Sequence, residues 1–315
     1  MIEEAFERLL AREAGPAAAR AAEAGDPPSD LARALVQAGF LDLMVPAAAG
    51  GAGLAPPDLL PLALAAGRHL LPLPFAETVV ARAWFPGALP AGQFAVLAAP
   101  SPLVPLARIA RHAVVRQGDT LALVPIEAGG ADPFRTRAAT VLEPGAPLAK
   151  VHGPDLEAAA AALTAARIAG LIEGAFALAQ AHVTARRQFG RLLAGFQAIQ
   201  QHMARAAAEA VAARAAAALA FQGPDFTLGP AAVAKVRAGQ AAAAAAAILH
   251  QVHGAIGMTD EYDLGLFTRR LQESRLAFGG EAVWARRLAE RRLAFGGAGH
   301  AADFVRQLGE DAHGG

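Results

Sequence analysis

Polar and apolar positions divide the chain into three stretches of different period. From the amino terminus to about residue 90, apolar residues recur at helical spacing in short runs, as at Leu31, Leu35, Gly39 and Phe40. Asp26-Pro27-Pro28-Ser29-Asp30 breaks the first of these runs and offers Ser29 or Asp30 as the cap of the next helix. Pro56-Pro57-Asp58 opens another helix, which the segment from Gly67 to Pro74 closes. Between 91 and 150 the period shortens. Phe94-Ala95-Val96-Leu97, His112-Ala113-Val114-Val115 and Thr120-Leu121-Ala122-Leu123-Val124 are compact apolar runs bounded by Pro and Gly, and they predict strands. From about 155 to 294 the helical pattern returns, with Gln222-Gly223-Pro224-Asp225 separating two long segments. The end of the chain is rich in glycine, carries His300 and His313, and predicts a flexible tail over 298–315. The expected fold is mainly α: a helical domain over 1–90, a small β-domain over 91–150 and a four-helix-type bundle over 151–297.

Composition narrows the class without naming a function. The 315 residues carry 28 basic and 28 acidic side chains, so bulk charge favours neither nucleic acid nor an anionic membrane. There is no cysteine, which excludes disulfides and cysteine-ligated metals and suits a cytoplasmic location. Met1-Ile2-Glu3-Glu4-Ala5-Phe6 is acidic, unlike the basic head of a signal peptide. Alanine runs such as Ala241 to Ala247 are poor in large apolar side chains, and Lys235, Arg237 and Gln240 interrupt them, so they read as close-packed helices rather than membrane spans. Such helices are expected to bury little area within one chain and to pair through their alanine faces.

Candidate chemistry concentrates in two segments: Arg186-Arg187-Gln188-Phe189-Gly190 and Gln251-Val252-His253-Gly254-Ala255-Ile256-Gly257. Each sits beside an alanine-rich helical stretch, where packing alone would ask for Leu and Ala. An arginine and backbone amides near glycine offer donors to a diphosphate, and no carboxylate repels it. Phe189 and the amides suit the flat, partly polar face of a nucleotide. Each residue also has a plainer role open to it. Arg186 and Arg187 could lie on a solvated helix face, Phe189 could be core, and Gln251 and His253 could cap carbonyls ahead of an ordinary Gly254. His202, His250 and His253 lack the spacing of a metal site, so none is expected.

In these segments the chain resembles the acyl-CoA dehydrogenases, flavoproteins that introduce a 2,3 double bond into acyl-CoA thioesters. The family's R-x-x-F-G leading to F-Q-x-x-Q-H is matched by Arg186 to Gly190 and by Phe196-Gln197-Ala198-Ile199-Gln200-Gln201-His202. Its Q-x-x-G-G-x-G followed by T-x-E-Y is matched by Gln251 to Gly257 and Thr259-Asp260-Glu261-Tyr262, with Ala255 in place of the second glycine. Ala38 to Pro46, Gly50-Gly51-Ala52-Gly53-Leu54 and Gly67 to Phe75 are similar to the family's amino-terminal part. The resemblance implies an FAD site, shared across a subunit interface, in which Arg186, Gln188, Phe189, Gln197, Gln251, Val252, Gly254 and Ala255 bind the cofactor. It further implies an acyl-CoA thioester as substrate and electron-transfer flavoprotein as indirect acceptor.

Two departures from the family pattern matter. Nothing in 91–150 resembles the T-E-P-x-x-G-S-D segment that holds the flavin ring. The family's catalytic base is a Glu before a glycine; counting on from Arg269, Phe278 takes its place and Gly279 follows. Some members put the base on the first helix of the last domain, and that position falls near Ala160 in an all-alanine stretch. A phenyl ring takes no proton, and a general base is worth about 10²–10⁴-fold in rate. Glu281 is the nearest carboxylate, but it starts the following helix, where an acid is a routine cap. No catalytic residue is therefore assigned. The pattern resembles the smaller, non-catalytic subunit of two-subunit acyl-CoA dehydrogenases from bacterial steroid side-chain degradation. It implies a hetero-oligomer with a full-length catalytic homologue. A self-sufficient homodimer or tetramer using Glu281, or a flavin-free assembly or acyl-CoA-binding module, stands as the alternative.

Overall fold

The computed structural model describes residues 2–99, 101, 103–294 and 301–313. Helices α1 (Ile2–Glu13), α2 (Pro16–Ala24), α3 (Ser29–Gln37), α4 (Pro56–Arg68) and α5 (Phe75–Trp84) make the amino-terminal part. Strands β1 (Ala95–Ala98), β2 (His112–Gln117), β3 (Thr120–Gly129), β4 (Val141–Pro144) and β5 (Ala149–Val151) make the small middle sheet. Helices α6 (Leu156–Ala185), α7 (Gln197–Ala220), α8 (Leu228–His253), α9 (Leu264–Leu276) and α10 (Glu281–Ala294) make the carboxy-terminal part, and α11 (Ala301–His313) follows. The protein is mainly helical, in the architecture that the hydrophobic pattern predicts.

Helix α6 is the spine. The Asp155 carboxylate caps it, accepting from the backbone N–H groups of Glu157 and Ala158, each at 3.0 Å. It packs on α4, α7, α8 and α9. By length and composition α6 and the α8 segment could each cross a membrane, yet 67% of the most apolar stretch of α6 is enclosed by the rest of the chain. A helix at the centre of a bundle is apolar all round for that reason. Ala158 to Ala162 on α6 and Ala238, Ala241, Ala242 and Ala245 on α8 are buried within the single chain. This corrects the expectation that alanine faces bury little area in one chain: methyl-sized side chains let these helices approach until each covers the other. Helix α7 keeps more of its surface in solvent, with Val211 68% exposed.

Glycine sets the crossing of α4 and α6. A Cβ on Gly170 would lie 2.0 Å from the Leu64 carbonyl oxygen, and one on Gly67 would lie 2.5 Å from the Arg167 carbonyl oxygen. One turn on, a Cβ on Gly174 would meet the Arg68 carbonyl at 2.5 Å and the Phe267 ring. The two backbones touch where side chains would normally hold them apart.

In the sheet, β1 runs parallel to β2, and β3 pairs antiparallel with β2, β4 and β5. Alternation sorts the two faces. Ala95, Leu97, Val114, Leu121 and Leu123 join the main core, while Val96, Ala113, Ala122, Val124 and Ile126 form a second, smaller one. Thr78 ties α5 to β1: its hydroxyl accepts from the Ala95 N–H at 3.0 Å and donates to the Pro74 carbonyl at 2.6 Å.

Three local expectations change. Ser29 and Asp30 do not cap α3; Pro28 takes the N-cap position, Ser29 is the first helical residue and Asp30 pairs with Arg33 at 2.8 Å. The helical pattern from 155 to 294 is interrupted after α6 by a hairpin, β6 (Arg187–Gln188) and β7 (Arg191–Leu192). Its turn is Phe189-Gly190, with φ of +49° and +79°, a two-residue loop whose left-handed residues match the strand twist. Within the expected tail, 301–313 form α11, which lays Phe304 and Leu308 out of solvent and packs on α8; 298–300, with His300, and 314–315 lie outside the described residues.

The glycine crossing yields a stability prediction. Gly170→Ala should destabilise the fold by about 1–3 kcal/mol, the usual cost of overpacking a close contact. Urea unfolding measures it, and a wild-type midpoint in the variant would mean that α4 and α6 can separate freely.

Candidate functional site

The two motif segments meet in one groove. Arg186 follows the last residue of α6, the hairpin turns the chain back, and the end of α8 runs alongside. Together they enclose a cavity of about 640 Å³, lined by Arg186, Gln188, Gln251, Val252, Gly254 and Ala255 among others. Six of the eight cofactor-binding candidates therefore line one surface. The remaining two do not. Phe189 stands at the hairpin tip, 92% exposed, because its left-handed turn swings the ring outward, where it meets Phe196 edge-on at 6.3 Å. Gln197 is the first residue of α7 and faces solvent.

Local geometry explains the residue types. Gly254 ends α8 with φ +63° and ψ −142°, a conformation that favours glycine, while its N–H still donates to the His250 carbonyl. Ala255 lies in the following 3-10 turn, Gly254–Met258. Arg186 is extended, and its guanidinium has no ion-pair or hydrogen-bond partner among the described residues. No carboxylate lines the groove. Sequence reasoning passed over His182, which also lines it; its ring stacks on His253 at 4.7 Å with Tyr262 edge-on to it. The signal was available, since His182 lies one helical turn before Arg186. A free guanidinium, amide side chains and an opened backbone are what a diphosphate needs, so the residues present fit that group.

The expected base position lies elsewhere, against the sheet. Phe278 and Gly279 both take left-handed φ, +59° and +97°. The Phe278 N–H donates to Ser101 Oγ at 2.9 Å, and the Trp284 indole N–H donates to the Phe278 carbonyl at 3.0 Å. The Phe278 ring is 6% exposed and belongs to the main core. Ala160 is buried on α6. Glu281 opens α10, where Arg275 holds its carboxylate at 2.5 Å, and Gly239 gives it room. Among the described residues no three His, Asp or Glu side chains cluster as a metal site.

Beside this turn an interior ion network joins all three parts of the chain. Glu273 on α9 is fully buried, with Arg167 of α6 at 3.2 Å and the Thr136 hydroxyl from the sheet loop bonded to it. Arg270, 2% exposed, and Arg269 both pair with Glu23 of α2, at 2.6 and 2.8 Å. Burial pushes Glu273 up to about 7, more than Arg167 and Arg270 pull it back.

The acyl-CoA dehydrogenase N-terminal domain matches residues 1–78 and the acyl-CoA dehydrogenase C-terminal domain matches 158–293. The chain belongs to the acyl-CoA dehydrogenase family, whose members generally bind FAD. It is 32% identical to acyl-CoA dehydrogenase IpdE2 of Mycobacterium tuberculosis, over 87% of this chain and 91% of that one. Its fold is similar to that in the ChsE4–ChsE5 complex from Mycobacterium tuberculosis, with TM-score 0.78, 20% identity and coverage of 94% of this chain and 97% of that one. It is equally similar to a variant of the Tcur3481–Tcur3483 steroid ACAD, with TM-score 0.77, 24% identity and coverage of 91% and 95%.

The buried carboxylate gives a pH prediction. An acid whose folded value lies above its unfolded value, about 4.3, stabilises fully below that value and loses the contribution as pH rises through about 7. Burial lowers His112, His182, His250 and His253, which therefore act with the opposite sign. The difference between wild type and Glu273→Gln isolates the glutamate: wild type should lose Tm relative to the variant between about pH 5 and pH 7 and run parallel to it above that. Parallel Tm curves would show that Glu273 stays ionised throughout.

Proposed function

We propose that this chain is a subunit that completes the FAD site of a catalytic partner in the α,β-dehydrogenation of acyl-CoA thioesters. The carrying observation is a division within the chain: the groove assembles six motif residues, while the base position holds a buried Phe278. FAD, when bound, supplies the hydride acceptor. Arg186 would meet its diphosphate, and Gln188, Gln251 and the backbone at Gly254 would hold its polar edges. Loss of the α-proton requires a carboxylate beside the thioester, and the partner would provide it. Glu281 is a poor substitute because Arg275 already holds it. The names of the ChsE4–ChsE5 complex and of the Tcur3481–Tcur3483 steroid ACAD support a two-chain assembly and a bulky acyl group. Electron-transfer flavoprotein would then reoxidise the assembled enzyme, in the cytoplasm.

Reconstitution tests the reading. The purified chain should dehydrogenate no acyl-CoA with an artificial electron acceptor, and mixing it with a full-length homologue that keeps Glu-Gly should produce turnover. In that complex Arg186→Ala should weaken FAD retention by about 1.5–3 kcal/mol, the value of a hydrogen bond to a charged group. Phe278→Glu should not rescue the isolated chain. Robust turnover by the isolated chain that Glu281→Gln abolishes would overturn the proposal and favour a self-sufficient enzyme.

A further inference from the structure

His182 and His253 are titratable side chains of the groove that the family motifs leave without a role, and His182 is the more exposed of the two. It lies one turn before Arg186 on α6 and lines the same cavity. Its ring is fixed from two sides: it stacks on His253, with centroids 4.7 Å apart and planes 29° apart, and Tyr262 meets it edge-on at 6.1 Å. His253 is itself fixed, through Nδ1 against the Leu249 carbonyl at 2.7 Å, and its buried Nε2 has no hydrogen-bond partner among the described residues. Such a stack holds the outer imidazole in one orientation at the wall of the groove.

The charges around this ring are one-sided. Just past the end of its own helix it faces Arg186, and from α8 it faces His253, with His250 one turn behind. The Tyr262 loop carries Asp260, Glu261 and Asp263; Arg20 of α2 holds the Asp263 carboxylate at 2.9 Å and donates to the backbone carbonyls of the other two, and none of the three lines the groove. The groove lining itself contains no acid. With no carboxylate lining the groove, burial and the Arg186 guanidinium hold His182 below the ordinary imidazole value, so it is neutral in the open groove near pH 7. A ligand that brings negative charge supplies the missing partner.

We propose that His182 is a ligand-contacting residue of the groove, and that it takes up a proton as the diphosphate of a dinucleotide binds, so that Arg186 and an imidazolium grip the diphosphate together. This inference rests on the reading of the groove as an FAD half-site. It adds a second cation and a proton to that site, and makes its affinity depend on pH. The diphosphate of FAD is a diester with no proton to lose near neutrality, so any proton exchanged belongs to the protein. Where binding takes up one proton, affinity changes by up to about tenfold per pH unit.

Calorimetric titration of the full chain with FAD, in two buffers of different ionisation enthalpy, counts that proton directly. Near pH 7 the wild-type chain should take up a fraction of a proton approaching one, and should bind FAD at least about tenfold more tightly at pH 6 than at pH 8. His182→Gln should bind equally at both, near the wild-type value at pH 8. The His182 imidazole in the unmodified protein, followed by NMR, should titrate at higher pH with FAD than without it, which removes any dependence on the variant folding. FAD binding with no proton uptake and no shift of that imidazole would overturn the inference and leave the half-site reading intact. Absence of FAD binding at either pH, alone and with a catalytic homologue, would bring both down.

Discussion

The close approach of α4 and α6 governs the rest of the molecule. Gly67, Gly170 and Gly174 remove the side chains that would keep the two backbones apart. Because α6 lies against α4, α7, α8 and α9, its position fixes theirs. Two features of the molecule follow from that. The middle of α6 carries Arg167 to Glu273 in the interior, and its last turn sets His182 and Arg186 at the groove. Alanine is the natural companion of such a spine, since packing near crystalline density between close helices leaves room for a methyl and little more.

The turn at Phe278-Gly279 separates backbone from chemistry. A left-handed non-glycine residue costs roughly 1–2 kcal/mol. Phe278 bears that cost with its N–H on Ser101, its carbonyl under Trp284 and its ring in the core. Burial of a phenylalanine contributes about 1.5–3 kcal/mol, enough to offset the strain. The same backbone with a carboxylate there would have to shelter a charge among apolar neighbours, at several times that cost unless paired. Local physics thus favours the phenyl ring once proton abstraction is no longer asked of this position.

Much of this was legible in the sequence because it is local. The change from helical to strand period near 91 and back near 155 is a property of neighbouring residues, and so is the pairing of two short motifs with the same helix-end chemistry. The hairpin after α6 was missed because two-residue strands are too short to show alternation; only Phe189-Gly190 marks the turn, and its phenyl ring, read as a cofactor contact with core as the plainer role, is 92% exposed. The alanine faces were misjudged because a methyl carries little apolar area, while the sequence says nothing of how near the next helix comes. The interior network was invisible for the opposite reason. Glu23, Thr136, Arg167, Arg270 and Glu273 come from four separate segments, and each alone reads as a solvated surface residue.

On the proposed reading, a contrast between the two ion systems bears on why an anion site should stay half-built in a single chain. Inside, Arg167 pairs with Glu273 and Arg270 with Glu23, although Glu273 Oε1 and Arg270 Nε have no hydrogen-bond partner among the described residues, and low dielectric makes each charge expensive to leave alone. At the groove Arg186 is exposed and unpaired, where water and salt screen it to about 1 kcal/mol for a contact at 4 Å. An open groove of that kind holds a diphosphate weakly. On the proposed reading, a second subunit closing over it would exclude water, lower the local dielectric and raise the same contact to several times its value, with no new residue required from this chain. The exposed Phe189 ring at its rim and the exposed Ile256 and Met258 beside Gly254 are apolar side chains that such closure would cover. The division of labour is then a matter of solvent: this chain supplies the donors, and assembly supplies the environment in which they bind.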